Sequence, residues 1–202
     1  PGNNGDTVKE VIKAVQNGTL AESVLDEDVD RYISLARDTN KVFSDGKKHD
    51  FNVDAHNLVA QKCAEQSMVL LKNQGSILPL KPGTKIAIIG DFAKKPRYQG
   101  AGSSVVNPTR LENTLDSMKY FPELDFIGYE TGYDRYGKKD KKALKRALEL
   151  ASKADVVLLY LGLDELTEAE GLDRANLNLP ENKVNCVKEL AKAGNKIVAV
   201  LA

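Results

Sequence analysis

An α/β fold built on a mostly parallel sheet with helices on both faces is predicted by three features of the sequence. Four apolar runs have the length of strands: Lys85–Gly90 (KIAIIG), Leu124–Tyr129 (LDFIGY), Asp155–Leu161 (DVVLLYL) and Lys196–Leu201 (KIVAVL). They are apolar on both faces, as strands covered from two sides are. Helical patterns separate the later runs, around Leu111–Met118, Lys141–Ser152 and Glu181–Ala193, and such alternation calls for parallel pairing. The chain stops at the last run, where a doubly wound sheet needs a covering helix, so the α/β sandwich is expected to be incomplete.

The segments before the first strand read as helices. Asp6 or Thr7 caps a helix whose apolar residues Val8, Val11, Ile12 and Val15 recur at helical spacing, and Gly18 closes it. Ser23 followed by Asp26 resembles a capping arrangement for a second helix, with Val29, Tyr32, Ile33 and Ala36 on one face. Two amphipathic helices without a sheet need another surface to cover their apolar stripes. The stretch Asn40 to Phe51, with Ser44-Asp45-Gly46-Lys47-Lys48, is polar and turn-rich and reads as a linker. A longer helix is expected from Ala55 to Lys72, with Val59, Ala60, Cys63, Ala64, Ser67, Met68 and Leu71 inward. The organisation expected is helices over 1–39, a linker over 40–53 and an α/β domain over 54–202.

Composition narrows the function classes. Apolar residues at 42% and charged residues at 29% are the makeup of a folded globular protein. Because 29 Lys and Arg balance 29 Asp and Glu, no net field draws the chain to nucleic acid or to a membrane. The basic run Lys138, Lys139, Lys141, Lys142, Lys145 and Arg146 enters a helical pattern beside Asp140 and Glu149, and reads as a solvated helix face. No apolar run approaches the ~18 residues that span a bilayer, and no signal peptide is visible. The chain opens on Pro1 rather than Met, so a native start upstream is expected and the compartment stays open. Cys63 and Cys186 sit among apolar residues of helical patterns, which assigns both to a core. His49 and His56 have no third ligand at a metal-type spacing, and support neither a structural metal nor a His-based triad.

In open α/β sheets, ligands gather at the carboxyl ends of the strands, and two segments occupy that place. After KIAIIG comes Asp91 to Thr109, Gly-rich and arginine-bearing, with RYQGAGSSVVNP at its centre. Its Gly-Ala-Gly resembles part of a dinucleotide fingerprint. Those glycines stand well beyond the strand, a third glycine is missing and no helix start follows. A plain surface loop, or one shaped to meet a sugar or another domain, fits better. After DVVLLYL comes Gly162 to Asn176 (GLDELTEAEGLDRAN), with Asp164, Glu165, Glu168, Glu170, Asp173 and one arginine, Arg174. Three readings stand. One is a solvated acidic loop. The second is a calcium site, against which the lack of alternating Asp/Asn and of a mid-loop glycine counts. The third is a carboxylic acid held over a substrate, where crowded like charges raise one pKa and keep a proton ready near neutrality.

Several segments together resemble family 3 glycoside hydrolases, the β-glucosidases, β-xylosidases and their relatives. PGNNG with NGTLAESVLDEDVDRYISLA looks like the end of that family's barrel domain. SMVLLKNQGSILPL followed by KIAIIG is similar to the start of its second, α/β sandwich domain. RYQGAGSSVVNP and EAEGLDRANLNLPENK resemble two further motifs, in the family's order. The resemblance covers essentially the whole chain.

It implies that residues 1–39 are the last helices of a (β/α)8 barrel and residues 54–202 most of the sandwich. The implied reaction is retaining hydrolysis of terminal, non-reducing β-linked sugars through a covalent glycosyl-enzyme. An aspartate nucleophile on the barrel, upstream of PGNNG, would work with a second carboxyl about 5–5.5 Å away. In the family that acid/base comes from the loop matching Gly162–Arg174, which nominates Glu168 first and Glu170 second. Asp173 and Arg174 match an Asp-Arg pair read as fixing the loop through an ion pair. Arg97, Gln99, Ser103 and Ser104 are implied to lie near substrate or at the barrel. No metal or organic cofactor is implied, since two carboxylates and water suffice. The implied partners are a carbohydrate substrate and the N-terminal barrel of the same protein, without nucleic acid or membrane. Alone, the fragment is expected to be inactive. A nucleotide-dependent α/β enzyme and a non-catalytic sugar- or partner-binding domain are the rival readings.

Overall fold

The computed structural model describes residues 5–44, 46, 51–103 and 105–202; His49 and Ser104 lie outside them. The chain divides into two compact units, Pro1–Glu65 and Gln66–Ala202. The first is helical: α1 (Asp6–Gln16), α2 (Glu22–Ser44) and α3 (Val53–Ser67), the last ending just past the division. Gly18, at φ 75°, closes α1 as expected, with Gly18 N–H bonding Val15 O and Thr19 N–H bonding Ala14 O.

Two boundaries differ from the sequence reading. α2 begins at Glu22, one residue before the proposed Ser23 cap, and runs through 40–44, where a linker was expected. There the Ser44 hydroxyl folds back on Asn40 O and Lys41 pairs with Asp38. Polar residues of a turn-like stretch thus satisfy themselves within the helix. α3 starts two residues early, at Val53, with Asn52 Oδ1 accepting from Ala55 N–H at 3.0 Å. It also stops at Ser67, so Met68–Leu71 are neither helical nor inward.

None of the three helices buries a residue. Cys63, assigned to a core from its neighbours, is exposed, and Val59 and Met68 are 60% and 74% exposed. An apolar stripe is buried only where a second layer covers it, and the described residues of this unit form no sheet. His56 stacks on Phe51, its ring centroid 5.3 Å away.

The second unit carries the sheet. β1 (Lys85–Ile89), β2 (Asp125–Glu130), β3 (Val156–Leu161) and β4 (Ile197–Leu201) are the four predicted strands, all parallel in the order β2-β1-β3-β4. Ile86, Ile88, Ile89, Val157 and Leu159 of the two inner strands are fully buried. Each such side chain contributes about 1.5–3 kcal/mol relative to exposure.

Asp140 and Asn113 cap α5 (Lys141–Ala151) and α4 (Thr114–Ser117) by accepting from Ala143 and Asp116 N–H. α4 is shorter than the expected Leu111–Met118 because its cap stands inside that range. α6 (Glu181–Lys192) precedes β4. Steps from β2 to β3 and from β3 to β4 advance in the same direction across the sheet. Right-handed crossovers therefore put α5 and α6 on one face, where they touch. The step from β1 to β2 runs the other way and puts α4 on the opposite face, where Thr114 Oγ1 meets the Tyr160 hydroxyl at 2.9 Å. Ala143, Ala147 and Ala151 let α5 lie close, and Cys186 and Leu190 of α6 complete the core. The basic run from Lys138 to Arg146 is exposed, as predicted.

Candidate active site

Three loops leave the carboxyl ends of β1, β2 and β3 and fold together. The first bend needs glycine: at Gly90 (φ 115°) a Cβ would stand 2.3 Å from Tyr160 O on β3. From there, residues 97–103 pass beside the loop that follows β3.

Three buried or half-buried cations organise that meeting. Arg135, from the loop after β2, donates from Nη1 to Asp91 (2.9 Å) and to Lys95 O (3.0 Å), and from Nε to Glu165 (3.1 Å). Its guanidinium lies 4.2 Å from the Phe92 ring. Lys183, from α6, is fully buried and donates to Gly162 O at 2.9 Å, with Asp164 3.7 Å away. Arg97, from the Gly-rich loop, donates from Nη1 to Glu168 Oε2 (2.6 Å) and Leu163 O (3.2 Å), and from Nη2 to Glu168 O (2.7 Å).

Glu170 is held differently. Its Oε2 accepts from the Ser103 amide at 3.1 Å and from the Ser103 hydroxyl, while its own N–H bonds Ala101 O at 3.1 Å. Close approach requires Gly102, at φ 104°, where a Cβ would sit 2.9 Å from Glu170 Cβ. The Gly-Ala-Gly of the first loop therefore serves contact with the second loop. Together Arg97, Tyr98, Gln99, Ser103, Glu168 and Glu170 line an open cavity of about 680 Å³. Two buried donors there, Arg97 Nε and Gln99 Nε2, have no protein acceptor among the described residues.

The expected electrostatics are reversed. Crowded carboxylates were expected to raise one pKa, but each resolved shift in this loop is downward. Hydrogen bonds from the Ser103 hydroxyl and amide lower Glu170, and the Arg135 guanidinium lowers Glu165. Burial opposes the Asp164 charge, yet the Thr167 hydroxyl, two backbone amides and Lys183 hold its carboxyl below the ordinary range. A donor within hydrogen-bond reach outweighs carboxylates farther away. Burial pushes the Cys186 thiol up to about 11, that of an inert core cysteine.

Arg97, Gln99, Ser103, Glu168 and Glu170 are thus brought together around one cavity. Asp173 and Arg174 are not part of the clamp: neither makes an ion pair among the described residues, and Arg97 and Arg135 hold the loop instead. Asp91, Arg135 and Lys183 were missed. Lys183 left a trace in the sequence, since it stands with Cys186 and Leu190 on the apolar stripe of α6.

Comparison with known proteins agrees with this architecture. Residues 68–202 match the glycosyl hydrolase family 3 C-terminal domain. Over 207 aligned residues, covering 100% of this chain, it is 36% identical to thermostable β-glucosidase B of Acetivibrio thermocellus. Identity is also 36%, over 97% of the chain, to an exo-α-(1→6)-L-arabinopyranosidase of Bifidobacterium breve. It spans 27% of the length of each of these curated relatives. A family 3 β-glucosidase structure of Bifidobacterium adolescentis superposes with a TM-score of 0.85 at 36% identity, over 96% of this chain and 28% of that one. A β-glucosidase of Listeria innocua shares the fold at 24% identity, with a TM-score of 0.82 over 98% and 28%. The chain belongs to glycosyl hydrolase family 3, and residues 68–202 form that family's C-terminal domain.

Proposed function

We propose that this chain is part of a retaining β-glycosidase acting on terminal, non-reducing β-linked sugars, and that its loop Gly162–Arg174 supplies the general acid/base. The observation that carries this reading is the cavity where that loop meets the Gly-rich loop, with Glu168 and Glu170 both on its wall. Unpaired donors at Arg97 and Gln99 suit sugar hydroxyls. The relatives' printed activities, on β-glucosides and on an arabinopyranoside, concern hydrolysis of glycosidic bonds.

Between the two glutamates, the geometry weighs toward Glu170. Glu168 gives both its carboxylate and its carbonyl to Arg97, so its side chain is already engaged in anchoring the loop. Glu170 is tied only to neutral donors through Oε2, and its Oε1 has no protein partner among the described residues. A nucleophilic aspartate about 5–5.5 Å away in the assembled enzyme would push its pKa back up, since two like charges at that distance disfavour double ionisation. We take that aspartate to lie on a barrel domain of the same protein, and residues 1–39 to be the last helices of that barrel. Support comes from the uncovered apolar faces of α1 and α2, where Val8 is 62% and Val29 47% exposed.

The test uses nitrophenyl β-glycosides. The full-length protein should turn them over, and the 202-residue chain alone should not, because the aspartate nucleophile for the covalent step is taken to lie on the barrel. Turnover by rigorously purified fragment would overturn the division of labour.

A further inference from the structure

We propose that Lys183 is a positioning residue for the carboxylate loop: its buried ammonium fixes Gly162 and Asp164, and Asp164 shapes the turn that delivers Glu168 and Glu170 to the cavity. This rests on the reading of the loop given above.

Lys183 sits in the first turn of α6, after the loop in sequence and underneath it in space. It is fully buried, and its ammonium lies 5.1 Å from the Phe92 ring centroid and 5.7 Å from that of Tyr133. Asp164 is 1% exposed. Its Oδ1 accepts from Leu166 and Thr167 N–H at 3.0 Å each, its Oδ2 from the Thr167 hydroxyl at 2.8 Å, and its carbonyl from Glu168 N–H at 3.0 Å. These hydrogen bonds of Leu166, Thr167 and Glu168 converge on one residue, and Lys183 lies against it. At the end of the turn Arg97 takes Glu168, and beyond it the main chain of Ala101 takes Glu170.

Packing does not explain the residue. Taking an ammonium out of water opposes folding, and an unbranched apolar side chain of similar length would fill the space. What only the ammonium supplies is direction, because it addresses the carbonyl of the loop's first residue and the carboxylate two positions on. A loop hung from such a fixed point places its functional group on a rigid support.

The experiment is Lys183→Met in the full-length enzyme, read in two ways. Hydrogen exchange should quicken about tenfold or more at the amides of Leu166, Thr167 and Glu168, while the amides of β1 and β3 stay unchanged. Hydrolysis of a glycoside with a poor leaving group, which needs the positioned acid, should fall about ten- to a hundredfold. A dinitrophenyl glycoside should stay within about threefold of the parent. A lysine that merely fills space would give uniformly faster exchange and equal losses on both substrates, and that result overturns the proposal. Should Lys183→Met not fold, Lys183→Met with Asp164→Asn removes both charges, keeps acceptors for Leu166 and Thr167, and is scored identically. Glu168→Ala and Glu170→Ala run alongside. If either glutamate variant shows the leaving-group signature and the Lys183 variants do not, positioning by Lys183 is wrong while the loop's role stands. If neither glutamate shows it, the functional reading falls and the positioning role falls with it.

Discussion

Glu168 and Glu170 stand two residues apart on one loop, yet they are held by opposite means. Glu168 is gripped by a guanidinium that also takes its carbonyl and that of Leu163. Glu170 leans on a Gly-Ser backbone that has no formal charge and can approach only because Gly102 lacks a Cβ. The first arrangement suits a structural anchor, because one guanidinium holds side chain and main chain together. The second leaves one carboxylate oxygen of Glu170 without a protein partner among the described residues, as the proposed acid/base role requires. Neighbouring carboxylates are thus set apart by what faces them rather than by their own chemistry.

The largest expected effect attacks the glycine. Gly102→Val puts a β-branched residue at φ 104° against Glu170, a local strain of about 1–3 kcal/mol. The loop is exposed, so residues 101–103 should swing away, and the Glu170 hydrogen bond to Ser103 should be lost. Nuclear magnetic resonance shifts confined to that loop would record it. A smaller effect is expected from Arg97→Met. Its ion pair with the half-exposed Glu168 counts for little after screening. The two carbonyl bonds account for most of the expected loss, about 1–2 kcal/mol in all, measured by urea unfolding.

Acid titration separates the fixed carboxylates from ordinary ones. Asp164 and Glu165 have folded pKa values held below their ordinary values of 3.8 and 4.5. Their contribution to stability is therefore complete above those values and lost as pH falls through the lower, folded ones. Unfolding midpoints should decline below about pH 4.5, and Arg135→Met should flatten the Glu165 part of that decline. The smallest effect belongs to Ser103→Ala, which removes one neutral donor from Glu170. The Glu170 titration should move up toward its ordinary value with the thermal midpoint unchanged; an unmoved titration would mean that Ser103 does not tune it.

Much of the fold was legible because strands β1 and β3 carry apolar residues on both faces, a pattern only a doubly covered strand tolerates. The two site loops were legible too, since the carboxyl ends of parallel strands are fixed once the strands are. Burial of the helices was not: Cys63 and Met68 have inward-looking spacing but are exposed, because periodicity names a face and says nothing of what covers it. Ion partners were equally hidden. Arg97 meets Glu168 across 71 residues and Arg135 meets Asp91 across 44, whereas the family resemblance had pointed to Asp173 and Arg174. Lys183 alone left a local sign, a charge on an apolar stripe.

The central claim is that this loop carries the acid/base and that Glu170 is the residue. It is tested most directly in the full-length enzyme by comparing Glu170→Ala and Glu168→Ala on glycosides of graded leaving-group ability, with and without azide. Glu170→Ala should lose about 10²–10⁴ in rate where the leaving group needs a proton. It should keep the glycosylation step for dinitrophenolate, which does not need one. Added azide should restore turnover and yield a glycosyl azide of retained configuration. Glu168→Ala should lose activity by a similar, modest factor on every substrate and gain nothing from azide. The reverse pattern would move the role to Glu168, and the absence of rescue in both variants would contradict the account.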